Sequence, residues 1–143
     1  MPSTISETQL SSLIQLLLDD LLEILDGPLT AEEHRWAMTL TDKVQGYLCR
    51  QFRLEESDKS QEELFAEHPH RQQELNQLHR EHQSLLRSFS EIRNALSGSR
   101  VETRLFRRLQ NEFRLWVHEY RNHERRETEL LFDTWSVDLG SGE

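Results

Sequence analysis

At 143 residues the chain is long enough for one domain with a real core and too short for two. Its formal charge of −9 argues against nucleic acid, because phosphate contacts need clustered Lys and Arg to release counterions. With 35% hydrophobic and 30% charged residues, and only 5 Gly and 3 Pro, the composition suits long helices with wide solvated faces.

The first helix is predicted from about Ser6 to Asp26, opened by a Ser6–Gln9 capping box and stopped by Gly27-Pro28. Its seam reads Leu10, Ile14, Leu17, Leu21, Ile24, spaced 4-3-4-3 as for one buried helical face. Gln15, Asp19, Asp20 and Glu23 interrupt this stretch, and no basic residue precedes it, which excludes a signal peptide and a membrane span. Cys49 is the single cysteine, so a reducing compartment is expected, and the cytoplasm is the expected location.

A second box, Thr30 and Glu33, opens a helix to about Glu56 with the seam Leu40, Val44, Tyr47 or Leu48, Gln51, Glu55. Residues 57 to 67 are polar, with a helical turn near Glu62 to Ala66, and Pro69 restarts the chain at a favoured first-turn position. The third long helix spans about His70 to Leu96, with the seam Leu75, Leu78, His82, Leu85, Phe89, Ile92, Leu96. Ser97-Gly98-Ser99 ends it. The fourth runs from about Val101 to Trp135, with the seam Leu109, Phe113, Trp116, Tyr120, His123, Glu127, Leu130. Four amphipathic helices with short connections predict one all-α domain over residues 1–143, an antiparallel up-down-up-down four-helix bundle. A small polar tail, expected to be flexible, follows at about 136–143.

The seams carry polar residues at particular places: Gln51 and Glu55, then His82, then His123 and Glu127. Pairs spaced i,i+4 point the same way, and a buried carboxylate needs a charged or hydrogen-bonding partner. Two carboxylates and two imidazoles in one layer are ligands that iron, zinc or manganese accept. Arg104, Arg107 and Arg108, and again Arg121, Arg125 and Arg126, alternate with Glu102, Glu112, Glu119, Glu124 and Glu127, the pattern of solvated i,i+4 pairing.

Glu81-His82-Gln83-Ser84-Leu85-Leu86, His123-Glu124-Arg125-Arg126-Glu127 and Gln51-Phe52-Arg53-Leu54-Glu55-Glu56 resemble the third-, fourth- and second-helix motifs of hemerythrin-like, cation-binding domains. The closing Asp138-Leu139-Gly140-Ser141-Gly142-Glu143 is similar to the tail of some bacterial members. The likeness covers nearly the whole chain and departs from the family at two points. The first helix has no histidine, and Gln51 stands where the second-helix His belongs. The resemblance implies a non-enzymatic iron or zinc site for sensing or storage, with Glu55, His82, His123 and Glu127 as metal ligands. Four ligands suit one ion better than a di-iron pair.

The competing expectation is a metal-free scaffold or protein-interaction module, with Glu55–His82 and Glu127–His123 as a buried polar network. A protein partner or a homodimer is compatible with either. His118 and His79 are expected to be solvated, and Trp36, Trp116 and Trp135 to be packing residues. No Ser-His-Asp arrangement, phosphate loop or paired cysteines is present, so no catalytic residue is assigned.

Overall fold

Both reciprocal caps form. The computed structural model describes residues 6–98 and 103–141. Ser6 Oγ accepts from Gln9 N at 3.2 Å while Gln9 Oε1 accepts from Ser6 N at 2.9 Å, opening α1 (Glu7–Ile24). Thr30 and Glu33 repeat the exchange at 3.1 and 3.2 Å and open α2 (Ala31–Glu56). Each cap satisfies backbone donors that a helix start leaves orphaned.

The stretch after Glu56 is more ordered than its polarity suggests. Asp58 caps a separate helix, α3 (Lys59–Ala66), by accepting from Gln61 N at 3.2 Å. Phe65 is buried there against Leu75, Leu78 and Leu130, forming a second, smaller apolar cluster. Then come α4 (Pro69–Ser97), with Pro in its first turn, and α5 (Thr103–Ser141). The expected start of this last helix at Val101 lies outside the described residues. Its end lies beyond Trp135, since the helix continues through residues read from the sequence as a tail. The described chain is all-helical, with no strand, and no described helix is long and apolar enough to cross a membrane.

Side-chain pairs fix how the helices run. From Ser11 and Asp19 on α1 to Asp26 just past its end, the partners on α5 step backwards, from Glu124 to Arg121 to Arg114. Gln45 and Glu55 on α2 meet Ser90 and His82 on α4, and Glu81 and Leu85 on α4 meet Arg126 and Trp116 on α5. In each pair one helix ascends where its neighbour descends. The main core fills the space between α1, α2, α4 and α5, with Trp116, Tyr120, Phe52, Phe89 and Phe113 as its largest buried side chains.

Three sequence expectations are corrected. On α1 the buried line is Leu10, Ile14, Leu18, Leu21 and Leu25, with Leu17 and Ile24 only half-buried. Its 4-4-3-4 spacing follows a straight helix of 3.6 residues per turn, where the expected pattern assumed a 3.5 repeat. Three of the seven arginines of α5 reach across to acidic residues outside their own helix. Arg121 bonds Asp19 at 2.6 Å, Arg114 bonds Asp26 at 2.9 Å and Arg126 bonds Glu81 at 2.5 Å, whereas Arg108–Glu112 keeps the intrahelical form. Finally, Trp116 is buried, but Trp36 and Trp135 are more than half exposed and pack little.

The corrected seam is testable by urea unfolding. Leu18→Ala should lower stability by about 2–5 kcal/mol, the usual range for a buried Leu. Leu17→Ala should cost well under half as much, and equal losses would restore the 3.5-residue seam.

Candidate metal centre

Below Leu48 on α2 polar side chains enter the core. Gln51 and Glu55 are buried on α2, His82 is fully buried on α4, and His123 is buried on α5 with Glu127 half-buried beside it. The antiparallel run of α2 against α4 sets Glu55 opposite His82, and one turn of α5 sets His123 above Glu127. The structure thus brings all four sequence-assigned ligands into one layer. His82 Nε2 lies 2.8 Å and His123 Nε2 2.7 Å from the same atom, Glu127 Oε1. Glu55 Oε2 lies 3.2 Å from His82 Nε2.

Surrounding groups fix how these rings are presented. His123 Nδ1 lies 3.2 Å from Glu81 Oε1, and Glu81 is itself held by Arg126. An ionised carboxylate only accepts, so Glu81 takes the Nδ1 hydrogen and turns Nε2 toward the layer, as outer carboxylates do for metal-bound histidines. His82 is stacked on Phe52, with ring centroids 3.9 Å apart and planes 6° from parallel, and it meets His123 edge-on at 5.0 Å.

Two imidazole nitrogens against one carboxylate oxygen demand positive charge between them. Without a cation it comes from protons. Burial pulls the His82 imidazolium down, but its hydrogen bonds to Glu127 and Glu55 outweigh that and raise it to about 9. Burial pushes Glu127 up, yet bonds from His123 and His82 hold its carboxyl below the ordinary range. Glu55 goes the other way, raised chiefly by burial against the partial relief of His82.

A cation would answer the same demand. Donor atoms held tetrahedrally around one ion at ~2.0–2.2 Å sit roughly 3.3–3.6 Å apart, so the contacts of 2.7, 2.8 and 3.2 Å found here need to open only slightly to admit one. Glu55 Oε2 and Glu124 Oε1 are buried with no hydrogen-bond partner, a cost of about 1–3 kcal/mol each that a cation removes. His82, His123 and Glu127 offer one set of ligand atoms, and Glu55, Glu124 and Glu127 another, each within 4.8 Å of one another. The residues fit an ion.

Several participants were missed from sequence. Glu124 was read as a solvated partner of the arginines. It is instead tucked between α1, α2 and α5, accepting from Gln51 Nε2 at 2.9 Å and Ser11 Oγ at 3.3 Å. The legible hint was its i±4 neighbours, Tyr120 and Thr128, neither of them basic. Glu81 lies beside the seam and reaches the layer only through the His123 ring, so helical periodicity carries no signal for it. Gln51 is not turned to the imidazoles; it accepts from Tyr120 OH at 2.8 Å and donates to Glu124. His79, expected in solvent, is half-buried with its ring 5.3 Å from that of His82, and burial lowers its pKa. His118 is exposed, while His34 bonds the Leu96 carbonyl at 2.8 Å and His68 pairs with Asp138 at 3.2 Å, both away from the layer.

The proton-held layer makes stability depend on pH. His82 rises from 6.5 unfolded to about 9 folded, so the native state holds its proton longer. The stabilisation, up to roughly 3 kcal/mol, is complete below pH ~6.5 and lost as pH rises through ~9. Glu55, with its raised pKa, loses its proton more easily once unfolded and adds to the slope. In chelator, the urea midpoint should therefore fall between pH 6.5 and 9, and His82→Asn should flatten the profile. A midpoint in the native chain that is flat over this range would contradict the charge assignment.

No family model, curated protein or solved structure matches the chain, so what the layer does is inferred from its own chemistry.

Proposed function

We propose that the chain is a non-enzymatic cation-binding bundle of the hemerythrin-like kind, with α1, α2, α4 and α5 as its up-down-up-down helices. Glu55, His82, His123 and Glu127 hold an iron or zinc ion for sensing or storage in the cytoplasm. One observation carries this reading: two buried imidazole nitrogens converge on a single carboxylate oxygen at 2.7 and 2.8 Å. In this reading His82 and His123 bind through Nε2, Glu127 binds between them, Glu55 closes the α2 side, and Glu81 orients His123. A bound ion supplies the positive charge that protons otherwise supply.

A metal-free interaction module is the second reading. In its favour, the protons on His82 and Glu55 already balance the layer, and large apolar side chains stand in solvent, Trp36, Phe132 and Trp135 among them.

The two readings part on ion content and on protons. Protein purified without an affinity tag and incubated anaerobically with ferrous iron should retain stoichiometric metal by elemental analysis. His123→Ala should abolish retention, and His118→Ala, on the exposed face, should not. Binding at pH 7 should release protons, those of His82 and Glu55 among them, because the bound ligands must be deprotonated. Calorimetry in buffers of different ionisation heat counts them. Metal-free protein under every condition would leave the scaffold reading standing.

A further inference from the structure

Glu124 is a carboxylate that neither metal motif uses, yet the fold builds a socket around it. Tyr120, buried on α5, has its hydroxyl 2.8 Å from Gln51 Oε1, and Gln51 Nε2 faces Glu124 Oε2 at 2.9 Å. A carboxylate accepts only, so the amide must point its nitrogen at Glu124 and its oxygen at Tyr120. Gln51, in the place of a second-helix imidazole, is thereby committed to positioning. Ser11 on α1 donates to the same Glu124 oxygen at 3.3 Å. With Oε2 fixed from two sides, Oε1 is left buried and without a hydrogen-bond partner.

Glu55 is in a similar condition. It is 7% exposed, and its Oε2 also lacks a hydrogen-bond partner. His82 Nε2, 3.2 Å away, directs its single hydrogen to Glu127 Oε1 at 2.8 Å. One oxygen each from Glu55, Glu124 and Glu127 lie within 4.8 Å of one another. Three carboxylates this close, two of them with a buried oxygen lacking a hydrogen-bond partner, need a cation or protons between them.

We propose that Glu124 joins Glu55 and Glu127 in an oxygen-only subsite for a hard divalent cation of the manganous class, beside the imidazole-bearing site and sharing Glu55 and Glu127 with it. This rests on the reading of the layer as a cation site and adds to it a second, chemically distinct position. Imidazole nitrogens suit zinc and iron, whereas a position offering only carboxylate oxygens and water suits manganese or magnesium. Magnesium is commonly held through one or two carboxylates and keeps several waters, which makes manganese the better fit to three converging oxygens. The first helix has no imidazole to offer. Its Ser11 acts on Glu124 instead, so the side of the layer facing α1 is one of oxygens.

Manganous ion alone is the probe. Its binding is followed by calorimetry and by loss of the free-ion paramagnetic resonance signal, with circular dichroism to check the fold. The native chain should take two ions and Glu124→Gln one. Glu124→Asp keeps the charge but shortens the reach, and should weaken the second ion about tenfold or more. With one zinc preloaded, the native chain should still take one manganese and Glu124→Gln none. A native chain that binds no ion overturns both the cation reading and this subsite. A single ion, whichever variant removes it, leaves the cation reading intact and overturns the second position. Two ions in both native and Glu124→Gln chains would remove Glu124 from the site. Should Glu124→Gln fail to fold, the Glu124→Asp affinity and the zinc-preload stoichiometry of the native chain decide the matter.

Discussion

A carboxylate held ionised beneath two buried imidazoles is the constraint around which the lower half of this structure is arranged. Glu127 keeps its charge only because His82 and His123 both reach Oε1, at 2.8 and 2.7 Å. Those rings come from different helices. α4 and α5 therefore have to meet at one level, and α2 has to bring Glu55 to the same level from the third side. Removing one partner would leave an uncompensated buried charge, a far larger loss than removing an exposed ion pair such as Arg108–Glu112. The upper half has no such requirement. There the contacts are aliphatic and aromatic, and they set stability without setting chemistry.

Around this pair the layer divides into two sides with different characters. Toward α4, the rings of Phe52, His82, His123 and His79 pack together, with Glu81 and Arg126 completing an outer shell. Toward α1, hydroxyl, amide and carboxylate groups take over, from Ser11, Gln51, Tyr120 and Glu124. α5 serves both, because consecutive residues His123 and Glu124 are rotated by about 100° around the helix and so face different neighbours.

How much of this was legible depended on whether a residue belongs to a period. The seams of the third and fourth long helices read correctly because Leu75 through Leu96 and Leu109 through Leu130 repeat every three or four residues, with one apolar candidate at most turns. The same periodicity singled out Glu55, His82, His123 and Glu127, which the fold gathers. It failed on α1, where Leu17 and Leu18 are both apolar and only packing decides between them. On α3 the expected turn near Glu62 to Ala66 lies within the helix, but the short sequence holds too few apolar positions to define a face; Phe65 is buried because α4 and α5 provide a site for it. Glu81, Glu124 and Tyr120's bond to Gln51 are contacts between helices far apart in sequence, and a single sequence carries no record of such partners.

The unequal placement of the three tryptophans gives the molecule an internal optical gauge. Trp36 and Trp135 stand in water, so a dissolved quencher reaches them. Trp116, 2% exposed with its indole nitrogen on the Leu85 carbonyl, is shielded from it. Its ring lies parallel to Tyr120 at 5.4 Å, and Tyr120 is the residue that holds Gln51 against Glu124. The emission that survives quenching thus comes from an indole one aromatic ring away from the polar layer, and its colour and lifetime follow rearrangements there without any label.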